Sequence, residues 1–361
     1  MSKRSNLTRA KTNKKDEFYT QLKDIENELK HYKDHFKDKV VYCNADDPRV
    51  SNFFHYFSYN FEYLGLKKLI TTCYQNQEMD LFSMHDMESA IALVYEGEKD
   101  KGRIPTVENI GVIELKGDGD FRSPEAIEFL KEADIVVTNP PFSLFREYVA
   151  QLVEYEKDFI IMGNNNAITY KEVFPLIRDE KLWLGHHSNK TIEFMLSPEY
   201  EKWDRVDEEG NKYGKVPAIS WFTNLDTPKR HEEIILYRSY SPEEYPKYDN
   251  CNAINVDRVT EIPKDYYGVI GVPITYLGSH NPDQFEIIGI TKTWDNFASK
   301  TYPRQTQISS NGRKSIVTKL NDGGVLKLDE APQKGTYYMI DENIYIQKYA
   351  RILIKPKKVV E

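Results

Sequence analysis

The stretch DIVVTNPPF, residues 134–142, decides the fold class of this 361-residue chain. Its first five residues form an apolar run typical of a buried strand, and apolar residues from Leu144 to Leu152 follow at helical spacing. The tetrapeptide Asn139-Pro140-Pro141-Phe142 is therefore predicted to lie on a loop between the carboxyl end of a strand and a helix. Open α/β sheets bind their ligands at such loops.

The chemistry of this tetrapeptide fits a planar exocyclic amine. Two prolines fix the backbone of a short loop and leave its carbonyl groups without donors inside the loop. The side-chain oxygen of Asn139 and the carbonyl of Pro140 can accept the two amine hydrogens, while Phe142 stacks on the ring. An ordinary turn or linker is the competing interpretation, since Asn-Pro and Pro-Pro are common in both. The position directly after a strand favours the functional interpretation.

Strands and helices alternate from about residue 39 to residue 225. This alternation predicts an α/β fold with a doubly wound, mostly parallel Rossmann-like sheet. Strand-like runs lie near 39–44, 67–73, 111–115, 134–138 and 159–162. Residues 75–105 are polar and irregular, so they are interpreted as an insertion.

Outside this region the sequence predicts a flexible arm and a second domain. The arm, residues 1–15, carries six cations and no acid. The α/β domain spans 16–225, and residues 226–361 form a second domain of short strands and loops. Residues 291–345 show no clear period and are predicted to hold long loops.

Composition restricts the class of protein. Hydrophobic residues make up 40% of the chain and charged residues 29%, and no apolar run approaches the roughly 20 residues of a membrane span. Three widely spaced cysteines indicate a reducing compartment without disulfides or a cysteine zinc site, so a cytoplasmic protein is expected. His31 and His35 lie on one face of a predicted amphipathic helix. A solvated helix face is the favoured interpretation of this pair, and a metal-binding pair is the alternative.

The net charge of −8 disfavours nucleic acid at first sight, but the charges are unevenly distributed. Basic ends on an acidic body fit a segment that contacts phosphates. A solvated tail is the alternative interpretation of the arm. The candidate phosphate contacts are Arg9, Lys11, Lys14 and Lys15.

Polar and aromatic residues follow other predicted strands at the same sheet edge. Asn44, Asp46 and Asp47 follow the first strand, and Asp120 and Phe121 follow the third. The chain has neither a G-x-G-x-x-G turn nor a Walker A loop, which disfavours a cofactor held by its phosphates. Carboxylates that can hold an ammonium group or an adenine amine, together with an aromatic ring, fit S-adenosylmethionine. A helix cap at 46–48 and an ordinary turn at 118–120 are the alternatives.

Several segments together resemble the EcoRI adenine-specific DNA methyltransferase family. They are DEFYT at 16–20, CNADDPRVSNF at 43–53, GDGDFR at 117–122 and NPPFS at 139–143. The resemblance continues over most of the chain, and the order of segments is that of the gamma class of amino methyltransferases. It implies that Phe18, Tyr19 and Thr20 line the methionine end of the cofactor. It places Asp46 and Asp47 in the cofactor loop and Asp120 and Phe121 at the cofactor's adenine.

The second predicted strand departs from the family pattern. Members often carry an acid there for the ribose hydroxyls, whereas this chain has Thr72-Cys73-Tyr74-Gln75.

The resemblance implies a site-specific enzyme that methylates N6 of an adenine flipped out of duplex DNA. It would take the methyl group from S-adenosylmethionine, need no metal and use residues 226–361 for target recognition. It would act as a monomer without a membrane or an obligate protein partner, in a restriction–modification system whose endonuclease recognises the same site. Cytosine N4 methylation, methylation of RNA or of a glutamine amide, and a methylase-like fold that only binds DNA are the alternatives.

Overall fold

The computed structural model describes residues 18–45, 51–73, 90–97, 110–196 and 200–357. The arm with Arg9, Lys11, Lys14 and Lys15, and the carboxylates Asp46 and Asp47, lie outside the described residues. The chain divides into two compact units. The first contains residues up to Ala167 together with Leu182–Thr227, and the second contains Ile168–Lys181 and the residues from Pro228 onward. The domains 16–225 and 226–361 stay predictions as functional parts of the chain.

A mixed sheet forms the centre of the first unit. Its strands are β1 (Phe18–Tyr19), β2 (Val40–Cys43), β3 (Lys68–Thr72), β4 (Ile91–Tyr95), β5 (Ile113–Glu114), β6 (Ile135–Thr138), β7 (Asp158–Asn164), β8 (Trp183–Leu184), β9 (Lys190–Leu196), β10 (Arg205–Val206) and β11 (Lys212–Thr223). They lie in the order β1-β9-β11-β7-β6-β2-β3-β4-β5, and β8 and β10 also pair with β11. The helices are α1 (Leu22–Leu29), α2 (Asn52–Tyr59), α3 (Phe61–Leu64), α4 (Pro124–Glu132) and α5 (Phe145–Glu154).

The pairing within this sheet corrects the prediction of a mostly parallel sheet. The pairs β3–β2, β2–β6 and β6–β7 are parallel, as predicted. The flanking pairs, including β3–β4, β7–β11 and β9–β11, are antiparallel. Parallel neighbours need a long crossover such as a helix, and α5 supplies one between β6 and β7. Strands that pair antiparallel need no such crossover.

One strand was missed by the sequence analysis. β4 lies inside the segment 75–105, which was predicted to be an irregular insertion, and the rest of that segment lies largely outside the described residues. The run Ile91-Ala92-Leu93-Val94-Tyr95 is apolar and mostly buried, and it pairs antiparallel with β3. β5 then pairs antiparallel with β4, so it is an edge strand and not a third parallel strand.

A bulge in β11 explains how β1 approaches the centre of the sheet. Residues 219–223 of β11 pair with β7, and Ile219 lies opposite Asn164 at the carboxyl end of β7. The earlier part of β11 therefore extends past that end and pairs there with β9. The register shifts between Val216 and Ile219, and Ala218 has a left-handed φ of 59°. Because bulges bend a strand and increase its twist, this part can carry β9 and β1 towards the carboxyl ends of the central strands.

A buried carboxylate fixes the helix that follows β1. Glu28 of α1 is fully buried and accepts hydrogen bonds from the backbone N–H groups of His186 and His187, at 2.7 and 2.8 Å. The His31 ring stacks on His186 with centroids 3.5 Å apart, and His35 Nε2 lies 2.8 Å from the carbonyl oxygen of Asp226. The two histidines therefore contact different protein groups.

The described part of the chain lacks two features. It contains no cluster of three or more His, Cys, Asp or Glu side chains arranged to hold a metal ion. None of its helices has the length and apolar character needed to cross a membrane.

The second unit is built mainly from two sheets. Its elements are α6 (Phe174–Arg178), β12 (Ile254–Asn255), β13 (Ile270–Pro273), β14 (Phe285–Ile290), β15 (Gln305–Ile308), β16 (Lys314–Val317), β17 (Gly324–Leu328), β18 (Tyr337–Ile340), β19 (Asn343–Lys348) and β20 (Arg351–Pro356). One sheet has the order β12-β13-β20-β14 and the other β16-β15-β18-β19-β17. Residues 291–345, predicted to be long loops, supply most of the second sheet. Their alternation was hidden because polar side chains occupy strand positions, as in the Gln-Thr-Gln-Ile of β15.

Candidate active site

The Asn139–Phe142 loop leaves the carboxyl end of β6, as the sequence predicted. All four residues of β6 are buried, as expected for a strand covered on both faces. Asn139 and Pro140 are also buried, whereas Pro141 and Phe142 are half-buried. Phe142 begins a short 3₁₀ turn that leads directly into α5.

The side chain of Asn139 is held in one orientation by β1. Its Nδ2 atom donates a hydrogen bond to the carbonyl oxygen of Phe18 at 2.6 Å. Because a carbonyl can only accept, the amide nitrogen must face Phe18 and the oxygen must face the other way. That oxygen, Oδ1, is buried and has no hydrogen-bond partner among the described residues. An unpaired buried acceptor costs about 1–3 kcal/mol, so a donor placed here would be bound favourably.

Aromatic rings surround one side of the loop. The rings of Phe18 and Phe142 stack with centroids 5.9 Å apart and an interplanar angle of 29°. Phe194 of β9 lies 5.5 Å from Phe18 and meets Phe142 edge-on at 6.5 Å. Phe18 is almost completely buried, whereas Phe142 keeps part of its surface accessible. The Phe142 ring is thus supported by protein on one side and can contact a further planar group.

Thr20 links the segment after β1 to two other elements. Its hydroxyl donates to the sulfur of Met162 in β7 at 3.3 Å. Its carbonyl oxygen accepts from Asn52 Nδ2 of α2 at 2.8 Å. Together with the contacts of Phe18, these bonds bring four predicted site residues into one cluster: Phe18, Thr20, Asn139 and Phe142. Tyr19 pairs with Met195 of β9 in this strand.

A second cluster forms around Tyr148 of α5. Its hydroxyl donates a short hydrogen bond to Oδ1 of Asn44, which follows β2. Phe121 meets the Tyr148 ring edge-on with centroids 5.0 Å apart, and the carbonyl oxygen of Phe121 accepts from Gln151 at 3.1 Å. Burial raises the pKa of Tyr148 well above its usual value, so the hydroxyl stays a donor.

In the sequence Tyr148 lies on the apolar stripe of the helix predicted from Leu144 to Leu152, and its polar role was not predicted. A buried tyrosine usually needs a hydrogen-bond partner, which is the signal that could have revealed it.

A glycine keeps the Asp118–Phe121 turn close to the end of β3. Gly119 has φ = +75°, and a Cβ atom added there would lie 2.0 Å from the carbonyl oxygen of Cys73. Only glycine permits this approach without displacing the backbone. The turn that carries Asp120 and Phe121 therefore lies at the carboxyl end of β3, although the strand before it in the sequence is the edge strand β5.

The carboxylate of Asp120 is already engaged by Arg122. Oδ1 accepts from the backbone N–H and from Nε of Arg122, both at 2.8 Å, and Oδ2 accepts from Nη2 at 2.7 Å. Arg122 also donates to Glu147 of α5 at 2.9 Å. The hydrogen bonds from Arg122 hold the pKa of Asp120 below its ordinary value. The Asp-x-Arg spacing in GDGDFR is a sequence signal for this pair, which was not predicted.

A cleft of about 380 Å³ opens beside this turn, between α4 and α5. Its lining residues are Phe121, Arg122, Ile127, Glu147, Ala150, Gln151, Glu154 and Tyr155. Asn139 and Phe142 are not among them, so the Asn139–Phe142 loop does not line this cleft.

Comparison with known proteins confirms the resemblance. The family described as "Adenine-specific methyltransferase EcoRI" matches residues 6–357. Type II methyltransferase M.EcoRI of Escherichia coli is 52% identical over 295 residues, which cover 80% of this chain and 90% of the relative. Type II methyltransferase M.MgeORF184P of Mycoplasma genitalium is 33% identical over 360 residues, covering 98% and 99%. Type II methyltransferase M.MpnI of Mycoplasma pneumoniae is 39% identical over 289 residues, covering 78% and 84%.

No solved structure matches this chain significantly. The family match extends over nearly the whole chain and includes both structural units and every predicted site residue. Methyltransferases in general take their methyl group from S-adenosylmethionine, and a DNA methyltransferase acts on DNA. The chain therefore belongs to the EcoRI family of adenine-specific DNA methyltransferases.

Proposed function

We propose that this enzyme transfers the methyl group of S-adenosylmethionine to N6 of an adenine that is flipped out of duplex DNA. The observation that carries the proposal is the Oδ1 atom of Asn139 at the carboxyl end of β6, which is buried, fixed and without a hydrogen-bond partner in the described part of the chain. An amine hydrogen is the donor that this acceptor would take. A fold used only to bind DNA would gain nothing from such an atom.

The amine of adenine is a poor nucleophile, because its lone pair is delocalised into the ring. Asn139 Oδ1 and the Pro140 carbonyl would accept both amine hydrogens and so favour a more tetrahedral nitrogen whose lone pair faces the methyl group. Phe142, backed by Phe18, would stack on the flipped base. When bound, S-adenosylmethionine supplies a methyl group on a positively charged sulfur. The protein would contribute positioning and electrostatics, without a covalent step on a side chain.

The residues present fit this methyl donor. We assign Phe18, Tyr19 and Thr20 to its methionine end, together with Asn44 after β2, and we keep the sequence-based assignment of Asp46 and Asp47 to the cofactor loop. A carboxylate offers about four acceptor positions, and Arg122 occupies three on Asp120. One acceptor position therefore remains on Oδ2 for the amine of the cofactor's adenine, beside the ring of Phe121.

The Asp120 assignment predicts a binding defect. Asp120→Ala should weaken the affinity for S-adenosylhomocysteine by about tenfold or more, because a charged hydrogen bond is lost. Isothermal titration calorimetry measures this, with Glu128→Ala as control, since Glu128 is an exposed acid that pairs with Lys131 on α4. Equal affinities of both variants would remove Asp120 from the cofactor site.

Asp120→Ala should also change how the stability of the protein depends on pH. The pKa of Asp120 is depressed in the folded state. Its ionised form therefore stabilises the protein above the ordinary aspartate pKa of about 3.9, and this contribution disappears as the pH falls through the lower folded value. Thermal unfolding should show a difference between wild type and Asp120→Ala at neutral pH that shrinks below about pH 4.

The proposal extends to the rest of the molecule. The first unit would act as a doubly wound, Rossmann-like methyltransferase core and the second unit as the target-recognition domain. The basic arm, through Arg9, Lys11, Lys14 and Lys15, would contact DNA phosphates. The enzyme would act as a monomer, without a metal ion, on DNA in the prokaryotic cytosol. A restriction endonuclease for the same site would accompany it.

A labelled-methyl assay tests the proposed reaction. Purified protein, methyl-labelled S-adenosylmethionine and unmethylated genomic DNA should yield label in N6-methyladenine after digestion to nucleosides, with a metal chelator present. Label confined to cytosine, or transferred to RNA or protein but not to DNA, would refute the proposal. Long-read sequencing of DNA from a methylase-free host that expresses the protein would then identify the recognition site.

A further inference from the structure

The second unit contains a basic segment to which no role has been assigned so far. Residues 296–321 hold five cations and no Asp or Glu, whereas the whole chain holds 57 acids in 361 residues and carries a net charge of −8. At that average, several acids would be expected in a segment of this length. The cations are Lys300, Arg304, Arg313, Lys314 and Lys319.

Most of these cations are not neutralised by an acid. Lys300 pairs with Asp249. The other four are exposed, and none forms an ion pair with another residue of the described ranges. Other cations of the same unit are paired: Lys292 with Asp322, and Lys348 and Arg351 with Asp257. A cluster of exposed and unneutralised cations is the electrostatic feature that binds nucleic-acid phosphates.

Three of these cations lie on or next to the antiparallel β15–β16 hairpin, which forms one edge of the five-stranded sheet because β15 also pairs with β18. We call β15, β16 and the turn Ser309–Arg313 between them the basic ribbon. In the turn, the N–H of Ser309 donates to the Arg313 carbonyl at 3.0 Å and the N–H of Gly312 to the Ser309 carbonyl at 2.8 Å. Gly312 has φ = +77°, and a Cβ atom there would meet no atom within 4 Å. The tip of the ribbon therefore projects into open space, and residues 310–316 are all exposed.

One face of the basic ribbon combines charge with exposed apolar surface. In the strand register Ile316 lies opposite Thr306 and Lys314 opposite Ile308. Since residues two apart on a strand share a face, Lys314, Ile316, Thr306 and Ile308 lie on the same side. Ile308 is buried, so the exposed part of this face belongs mainly to β16. Ile316 is 72% exposed. Lysines commonly protect edge strands from pairing with another strand, but an exposed isoleucine would promote such pairing, so protection alone does not account for this face.

From this arrangement we propose that the basic ribbon enters the major groove of the target DNA with its tip and its edge strand β16 and reads the recognition sequence. The major groove is about 12 Å wide and admits two β-strands, so this edge can enter while β15 stays paired with β18. Arg313 at the tip would bind the O6 and N7 atoms of a guanine, and Ile316 would contact a thymine methyl group. Arg304, Lys314 and Lys319 would bind phosphates. The inference rests on the proposed DNA methylation and adds the element that selects the site.

The test compares two duplexes with the full-length protein. One contains the site that the wild type methylates, as mapped by long-read sequencing, and the other is a scrambled duplex of equal length. Arg313→Ala should lower the affinity for the site duplex by about tenfold or more, with less than a threefold change for the scrambled duplex. Lys314→Ala should weaken both to the same extent and reduce the slope of log affinity against log salt by about 0.9.

Lys327→Ala is the matched control. Lys327 is an exposed lysine on β17, the opposite edge strand of the same sheet. All three variants should keep the wild-type thermal midpoint and affinity for S-adenosylhomocysteine. If Arg313→Ala and Lys314→Ala bind both duplexes as Lys327→Ala does, the basic ribbon is not a DNA-binding element.

The experiments can distinguish failure of the proposed function from failure of the proposal about the basic ribbon. A wild-type protein that does not methylate adenine in DNA would refute the proposed function. The comparison of Lys314→Ala with Lys327→Ala on the scrambled duplex would still decide whether the ribbon binds DNA.

Discussion

Asn139→Ala is expected to lower the single-turnover rate of DNA methylation by about 100- to 1000-fold, the loss typical of removing one fixed electrostatic partner of a reacting group. The affinity for S-adenosylhomocysteine should stay within about twofold of wild type. The reason is geometric: the Asn139 amide nitrogen is bound to Phe18 and its oxygen has no partner among the described residues, so we propose that the side chain acts on the target amine. Rapid-quench kinetics on a site-containing duplex measure the rate.

Two further variants sharpen this test. Asn139→Asp keeps an acceptor but loses the donor to the Phe18 carbonyl, which lies only 2.6 Å from the amide nitrogen. It should therefore be as defective as Asn139→Ala. Asn166→Ala removes an exposed asparagine just after the neighbouring strand β7 and should be nearly as active as wild type. A loss of less than tenfold in Asn139→Ala, equivalent to about 1.4 kcal/mol, would exclude the assigned role.

Phe142→Ala is expected to reduce the methylation rate by about 5- to 150-fold, because stacking of one base on an aromatic ring contributes about 1–3 kcal/mol. The half-buried ring is supported by Phe18 on one side and can stack on the flipped base with the rest of its surface. Phe142→Tyr should restore most of the rate, since it keeps the aromatic face. The rate is measured at saturating cofactor over a range of duplex concentrations.

Loss of packing must be separated from loss of stacking in this experiment. Leu144 lies in the same 3₁₀ turn and is also half-buried, so Leu144→Ala removes a similar apolar side chain without removing an aromatic ring. The thermal unfolding midpoints of both alanine variants show how much stability each loses through lost packing, and the two methylation rates are compared with this loss taken into account. Should Leu144→Ala slow methylation as much as Phe142→Ala, the effect would reflect the shape of the loop, and base stacking by Phe142 would be rejected.

Segments with strong local signals were predicted correctly from the sequence. The apolar run 135–138 is predicted to be a buried strand whichever strands pair with it. The two prolines after it end that strand. The position of the Asn139 loop could therefore be predicted from the sequence. The antiparallel pairing of the strands at the flanks of the first sheet could not be predicted from the sequence. Whether a strand pairs parallel or antiparallel depends on which strand becomes its neighbour, and that choice is made by packing.

The same contrast holds for the candidate site. The sequence could name Asn44, Asn139 and Phe121 as candidates because their residue types suit an amine or a planar ring and because they follow predicted strands. Phe18 became a candidate only through the family resemblance. The sequence could not show that the Asn139 amide is turned by the Phe18 carbonyl, nor that Asn44 and Phe121 meet at Tyr148. These contacts join residues up to 121 positions apart, which only the folded chain brings together.

The sequence by itself therefore determined the family of the enzyme and predicted the position and the chemistry of the Asn139–Phe142 loop, because all of these depend on residue types in short segments. The tertiary structure decided which of these residues touch and which acceptor remains unpaired. It also decided that the apparently aperiodic residues 291–345 form a sheet with an exposed basic edge. The physical reason is that strand pairing and hydrogen-bond geometry depend on neighbours distant in sequence, which local patterns do not encode.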